Sequence, residues 1–378
     1  MEPVTMEQHN RLHIHHRKIL AYLLLEEGDK NFMRLERKVL RDRHNPFETP
    51  NVNFINMFRS TKEMALEIIN ILEEHYPMTI ANNAIPFYLK VLVTLHFLGS
   101  GSYQTPVGSV AQICVSQPTV SRAISDICSL ISQHLMPIWV KFPVMEADKA
   151  SVKVGFYNKY GIRGVIGAID GTHVEIIAPP VADNDHPPFV YINRKGRHSI
   201  NVMLISDSDM KIRAVDARYP GSVHDAAVWQ LSNIRAHLMA QYNIGIRNTY
   251  LIGDSGYPLE PWLLTPFANT RNEGEERFNN LHKTSRNVIE RVNGVLKNTF
   301  RCLSRHRILN YHPAKATHII YASIVIYNMG LNAGLNMDVH EDDEEIDENL
   351  PVNVPVEINR NLLVQGREER QNFILANF

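Results

Sequence analysis

The chain has 378 residues, with 39 Lys plus Arg against 40 Asp plus Glu and a net charge of −1. At roughly 100–200 residues per domain, this length gives two or three units with a real core. Eight acids and no Lys or Arg lie between Asp338 and Glu348, which leaves 36 bases against 29 acids in residues 1–337. The totals exclude a strongly basic binder, yet the body without its acidic stretch is mildly basic and suits a polyanion partner.

Three cysteines (Cys114, Cys128, Cys302), none in a CxxC pair, exclude a disulfide scaffold and a Cys-based zinc ribbon, and they fit a reducing compartment. The N-terminus MEPVTMEQHNR carries no apolar signal segment. The apolar stretches Val91–Leu98 and Ile319–Met329 are too short to span a bilayer, which takes about 20 residues. The expectation is a soluble protein of the nucleus, and also the cytoplasm, with no membrane partner.

Residues 1–80 read as a helical region. In STKEMALEIINIL, Ser60 and Glu63 make a capping box ahead of a stripe near helical spacing through Met64, Leu66, Ile68, Ile69 and Leu72. Upstream, Arg34, Arg37, Lys38, Arg41 and Arg43 form either a solvated helix face or a segment for nuclear import or phosphate contact. Residues 81–155 read as helical and helix-turn-helix-like. PFYLKVLVTLHFL is a buried helix opened by Pro86. Val107–Ile131 divides into a helix running to about Cys114, a tight turn, and a second helix capped by Ser116 with Pro118 in its first turn. Val120, Ala123, Ile124, Ile127 and Ile131 face inward, leaving Gln117, Thr119, Ser121, Arg122 and Ser125 outside. That outer face suits a DNA groove or plain helix packing.

From Gly161 the texture changes to strands. GVIGAID is a short apolar run covered on both faces, ending at the turn-like Asp170-Gly171, with Val174–Ile177 beyond it. SINVMLI and KIRAVDA flank SDSDM as a hairpin, a helix starts near His224-Asp225, and TYLIGDSGY is another buried strand ending in an acid. Helices Arg286–Thr299 and Lys315–Asn332 close a unit over 156–335, and residues 336–378 read as an acidic, flexible C-terminal tail whose apolar FILANF end is a signal for docking. This pattern gives an α/β fold with a mixed sheet and helices on its faces.

Four acids sit at element ends: Asp170, Asp225, Asp254 and Glu290. Singly, each has an ordinary explanation, as a turn residue, a helix cap, or half of an i,i+4 pair between Arg286 and Glu290. The helix around Glu290 carries Val288, Ile289, Val292, Val295 and Leu296 on one face and Arg286, Glu290, Asn293, Gly294 and Lys297 on the other. Carboxylates converging at one sheet end would repel one another, and divalent cations remove that conflict. An all-oxygen set suits Mg²⁺ or Mn²⁺, and a pair of such ions performs phosphodiester hydrolysis. His173 and His224 flank these acids. No P-loop and no GxSxG elbow is present, which disfavours a small-molecule hydrolase.

GAIDGTHV, NRKGRHSIN, DARYPGSVHDAAVW, LIGDSGYPL and RNVIERVNGVLKNTFR, in that order, resemble the DDE transposases of PIF/Harbinger elements, and still more the animal Harbinger transposase-derived nucleases. The resemblance covers about residues 160–330. It implies a ribonuclease-H-like core in which Asp170, Asp254 and Glu290 are catalytic and, with Asp225, ligate a divalent metal. It also implies a metal-dependent DNA endonuclease or strand transferase, or a domesticated DNA-binding scaffold that keeps its acids. A Myb/SANT-like partner protein is expected beside the DNA, and a homo-oligomer remains open. The DNA track is expected along Arg286, Arg291, Lys297, Arg301, Arg305 and Arg307, together with Arg194, Lys195 and Arg197.

Overall fold

The computed structural model describes residues 25–77, 85–101, 103–110, 112–304, 307–336 and 359–377. The acidic run 338–348 and Arg305 therefore lie outside the described residues.

The N-terminal half is helical: α1 (25–42), α2 (Asn51–Phe58), α3 (Lys62–Glu73), α4 (Phe87–Ser100), α5 (Gln104–Gly108), α6 (Gln117–Leu130), α7 (Met136–Trp139) and α8 (Glu146–Tyr160). The basic cluster 34–43 lies largely on the exposed α1, where Arg41 reaches across to donate to the Cys114 carbonyl. At α3 the cap is Thr61, whose Oγ1 accepts from the Met64 N–H, and the buried Ser60 bonds to the Thr61 carbonyl. The cap is thus Thr61 instead of Ser60, Met64 takes the position a capping-box acid would need, and Glu63 bonds to the Thr61 side chain instead, while Leu66 of the expected stripe lies exposed. The stripe on α6 is buried as expected, but α5 stops at Gly108, six residues before Cys114. A Cβ at Gly108 would lie 2.4 Å from the Val115 carbonyl oxygen, so the chain folds back on itself there. What connects α5 to α6 is a longer loop, not a tight turn.

The second half is a five-stranded mixed sheet in the order β3-β2-β1-β4-β5. β1 (Val165–Glu175), β2 (Ser199–Ser206) and β3 (Ile212–Pro220) are antiparallel neighbours, whereas β4 (Tyr250–Ile252) and β5 (Leu263–Leu264) continue the sheet in parallel with β1. Between β3 and β4 lie α9 (Asp225–Gln230) and α10 (Asn233–Asn243), and α11 (Glu273–Thr299), α12 (Pro313–Asn332) and α13 (Arg360–Asn377) follow β5. This is a ribonuclease-H-like α/β fold.

Strand side chains alternate between two apolar layers, as a pleated sheet requires. Ile200, Val202 and Leu204 join the core shared with the N-terminal helices, α11 and α12, while Met203 and Ile205 join Trp229, Leu238 and Trp262 under α9 and α10. β1 does not turn at Asp170-Gly171. It runs straight through, with Asp170 opposite Leu204 and Gly171 opposite Met203. The turn-like dipeptide is overridden by eight consecutive cross-strand pairs with β2.

Two helices extend beyond their expected bounds. α11 begins at Glu273, where Asn272 Oδ1 accepts from the Glu275 N–H at 2.9 Å and three acids fill the first turn beside the positive helix end. Past the acidic run, residues expected in a flexible tail form α13, which buries Gly366, Phe373 and Ile374. Tyr250 Oη at the start of β4 donates to Glu369 Oε2 at 3.2 Å, and the Phe373 ring meets Tyr250 and Phe278 edge-on. Among the described residues no helix is long and apolar enough to cross a membrane.

His282 locks α11 to β5, its Nε2 donating to the Leu264 carbonyl at 3.1 Å, and burial first of all lowers its pKa to about 4. An unfolded chain takes up this proton near pH 6.5 and the folded one only near pH 4, so stability is complete above pH 6.5 and falls as pH drops through that window. Denaturant unfolding of the wild type is expected to lose up to about 3 kcal/mol between pH 6.5 and pH 4 from this group. A His282→Gln variant should lack that part of the slope.

Candidate active site

Four elements deliver the four acids: β1, the start of α9, the loop after β4, and α11. Asp170 lies in mid-β1 with its side chain 17% exposed, and it faces α11, as does Thr172 two residues on. Asn293 Nδ2 donates to Asp170 Oδ2 at 2.8 Å, Arg286 Nη1 stands 3.9 Å from Oδ1, and Arg286 also pairs with Glu290 one turn along α11. Lys297, one turn beyond Asn293, donates to Thr172 Oγ1 at 2.6 Å and to the His173 carbonyl. A single helix face therefore reads along β1 from residue 170 to residue 173.

Gly171 faces the other way, toward the N-terminus of α9. A Cβ at this position would lie 2.2 Å from Asp225 Oδ1, so the Asp225 carboxylate rests directly against the glycine backbone. Asp225 is the first helical residue, His224 occupying the N-cap, and Asn201 Nδ2 donates to Asp225 Oδ1 at 2.7 Å. Asp254 follows β4 and accepts from the Gly256 N–H at 2.9 Å. Behind it, the buried Glu260 accepts from Trp229 Nε1 and from both Nε and Nη2 of Arg235, which anchors the far end of the Asp254 loop.

The electrostatics place these groups within range of one another. Burial pushes the Asp170 carboxyl up to about 8; Arg286 opposes the shift, and the charges of Asp254, Asp225 and Glu290 add to it. Asp254 is raised by burial and by Asp225 against the pull of Arg286 and the Gly256 N–H. Tyr257, buried beside them, is held well above the usual phenol range by burial and then by Asp225, Asp170 and Asp254. Among the described residues its hydroxyl has no hydrogen-bond partner, and neither has the buried Asn293 Oδ1. The pocket thus gathers carboxylates and unpartnered neutral oxygens around a single guanidinium. Such a donor set fits a hard divalent cation.

The expected DNA residues divide. Arg286 and Lys297 belong to the pocket face. Arg194 Nη2 donates to His224 Nδ1 at 2.7 Å, and because arginine can only donate, the imidazole must accept there and is neutral. Burial and then Arg194 lower the His224 pKa, with Asp225 pulling the other way. Arg197 pairs with Glu175 at 2.7 Å, and Lys195 stands in the same exposed turn. Arg291 is exposed and lies within electrostatic reach of Tyr327. Arg301 is exposed past the end of α11, close to Gly101, and Arg307 is exposed before α12. Sequence reasoning missed Asn201 and Tyr257. An asparagine inside the apolar run SINVMLI was a readable signal for the first, whereas an aromatic after a turn signals nothing about the second.

A ribonuclease-H-like sheet bearing acids on β1, after β4 and on a crossing helix defines the class of DDE endonuclease folds. Residues 169–328 match the family described as DDE superfamily endonuclease. The chain is 36% identical over 253 residues to "Putative nuclease HARBI1" of Mus musculus, covering 66% of this chain and 69% of the relative. It is 35% identical over 252 residues to the Homo sapiens protein of that name, with the same coverage. "Protein ALP1-like" of Arabidopsis thaliana is 25% identical over 274 residues, covering 66% of this chain and 64% of the relative. No solved structure matches the chain. The chain belongs to the Harbinger transposase-derived nuclease family.

Because Gly171 leaves no room for a side chain, Gly171→Ala should push the Asp225 carboxylate aside and destabilise the fold by about 1–3 kcal/mol, the usual cost of overpacking. Adding Asp225→Ala should recover much of that loss. A denaturant-unfolding cycle in which the two changes simply add would contradict the contact.

Proposed function

We propose that this protein is a divalent-metal-dependent DNA endonuclease, acting in the nucleus and also present in the cytoplasm. The observation that carries the proposal is Asp170: a carboxyl buried in mid-strand, within reach of three further carboxylates, with one arginine to offset them. Asp170, Asp254 and Glu290 would hold Mg²⁺ or Mn²⁺, with Asp225 as a further ligand. In a two-metal site such ions supply charge that activates water and stabilises a leaving 3′ oxygen.

The remaining roles belong to the chain's own groups. Asn293 donates to Asp170 Oδ2 and so fixes the direction of the other carboxylate oxygen. Arg286 spans Asp170 and Glu290, neutralising part of their charge while the pocket holds no cation. The neutral His224, accepting through Nδ1, carries its proton on Nε2 and presents a donor to a phosphate oxygen. Arg194, Lys195 and Arg197 in the turn after 192, with Arg286, Arg291, Lys297 and Arg301 along α11 and just past it, would meet the DNA backbone. A Myb/SANT-like partner would supply sequence recognition, since α6 offers only Arg122 as an exposed cation on its outer face.

A second reading, a domesticated DNA-binding scaffold without turnover, draws on the pairing of Glu290 with Arg286, which leaves the acid engaged. Nicking of supercoiled DNA separates the two. The endonuclease reading expects nicking by the wild type only with Mg²⁺ or Mn²⁺, lowered about a hundredfold or more in Asp170→Ala and Glu290→Ala, as for loss of a group that stabilises transition-state charge. Salt-dependent DNA binding should survive in both variants. Firm DNA binding with no metal-dependent nicking by the wild type would favour the scaffold.

A further inference from the structure

Away from the carboxylate pocket, on the connection between β1 and β2, three side chains from two distant stretches converge. Asp183 Oδ2 accepts from His312 Nε2 at 2.6 Å and from His186 Nδ1 at 3.1 Å. The three ligand-type atoms all lie within 4.8 Å of one another, and the two imidazoles stand edge to face with centroids 4.5 Å apart. We propose that Asp183, His186 and His312 form a zinc site that ties the β1–β2 connection to the start of α12.

The local backbone prepares each donor. Asp183 Oδ1 accepts from the N–H groups of Asp185 and His186, at 3.1 and 3.2 Å, which leaves Oδ2 to face both rings. His312 is the N-cap of α12, three residues after Leu309, which bridges to Ile176 at the end of β1. The second ligand stretch is therefore fixed to the same sheet edge from which the 177–187 segment departs. Two imidazole nitrogens and one carboxylate oxygen suit zinc, whereas Mg²⁺ and Ca²⁺ prefer all-oxygen sets. Bonds of about 2.0 Å in a tetrahedron put ligand atoms about 3.3 Å apart, so the two nitrogen–Oδ2 spacings of 2.6 and 3.1 Å need only a small outward shift. Zinc binding requires His186 Nδ1 and His312 Nε2 to be deprotonated, each neutral ring then carrying its one proton on the other nitrogen. His186 and Asp183 are half-buried and His312 is exposed, so water can supply the fourth ligand.

The consequence is local order. The 177–187 segment lacks helix and strand, and it leads through Tyr191 to the turn that bears Arg194, Lys195 and Arg197. A zinc clamp at 183 would hold that basic turn against the sheet.

Calorimetric titration of the chelator-stripped full chain with Zn²⁺ alone tests the site, paired with thermal unfolding. The proposal expects one zinc equivalent to bind, with a raised Tm, in Asp170→Asn, where the carboxylate pocket is disarmed, and at least that one in the wild type. It expects that equivalent and its Tm gain to vanish when His312→Gln or Asp183→Asn is added to Asp170→Asn. Co²⁺ in place of zinc should give the intense visible bands of a four-coordinate site in Asp170→Asn and not in the double variants, a readout that does not depend on variant stability. No zinc uptake by Asp170→Asn, or uptake unchanged when His312→Gln is added to it, would overturn the proposal and leave the cluster as a hydrogen-bonded clamp. Because Asp170→Asn is the zinc-competent control, failure here is separable from failure of the nuclease reading.

Discussion

The structure turns on a carboxylate placed where a carboxylate is least welcome. Asp170 sits in mid-strand, mostly screened from water, with other acids in reach and its pKa pushed up to about 8. Without a counter-charge, such a side chain keeps its proton at neutral pH or destabilises the strand that carries it. What surrounds it softens that conflict in graded ways. Asn293 donates a neutral hydrogen bond, Arg286 contributes a shared positive charge, and Gly171 lets Asp225 approach without a collision. None of these removes the excess of negative oxygen, which is why a doubly charged ion is the occupant the pocket suits.

The fold explains how one strand can address two helices at once. Alternation along β1 sends Asp170 and Thr172 to α11 and Gly171 to α9, so two layers on opposite faces of the sheet meet at three consecutive residues. The length of α11 matters for the same reason. Its first turns are pinned by Asn272 and His282, and its later turns then pass Arg286, Glu290, Asn293 and Lys297 across the strand at intervals of three or four residues. A helix starting at Arg286 would have had no such foundation.

Much of this was legible in the amino-acid sequence. The runs GVIGAID and SINVMLI, the hairpin around SDSDM, and the buried stripe of Val288, Ile289, Val292, Val295 and Leu296 all follow from periodicity, which depends on burial and survives into the structure. What was misjudged were places where long-range contact overrides a local preference. Asp170-Gly171 looks like a turn until pairing with β2 is known. The helix expected from Arg286 begins at Glu273, because Phe278 and His282 are buried there by partners distant in sequence. The C-terminal apolar residues Phe373 and Ile374 had no visible destination because Tyr250 and Phe278, which receive Phe373, lie about a hundred residues away in the chain. The acids themselves were visible only as element ends; that Asp225 rests on Gly171 depends on the missing Cβ and could not be inferred from spacing.

The docking of α13 has a consequence for how the molecule is made. During synthesis, Tyr250 and the Asp254 loop emerge long before residues 360–377, and nascent chains fold from the N-terminal side as they appear. Until the last helix leaves the ribosome, the Tyr250 hydroxyl lacks Glu369, and the backbone at Leu259–Glu260 lacks the close cover of Gly366. The strand that delivers Asp254 thus gains its cover from α13 only after translation has passed the acidic run.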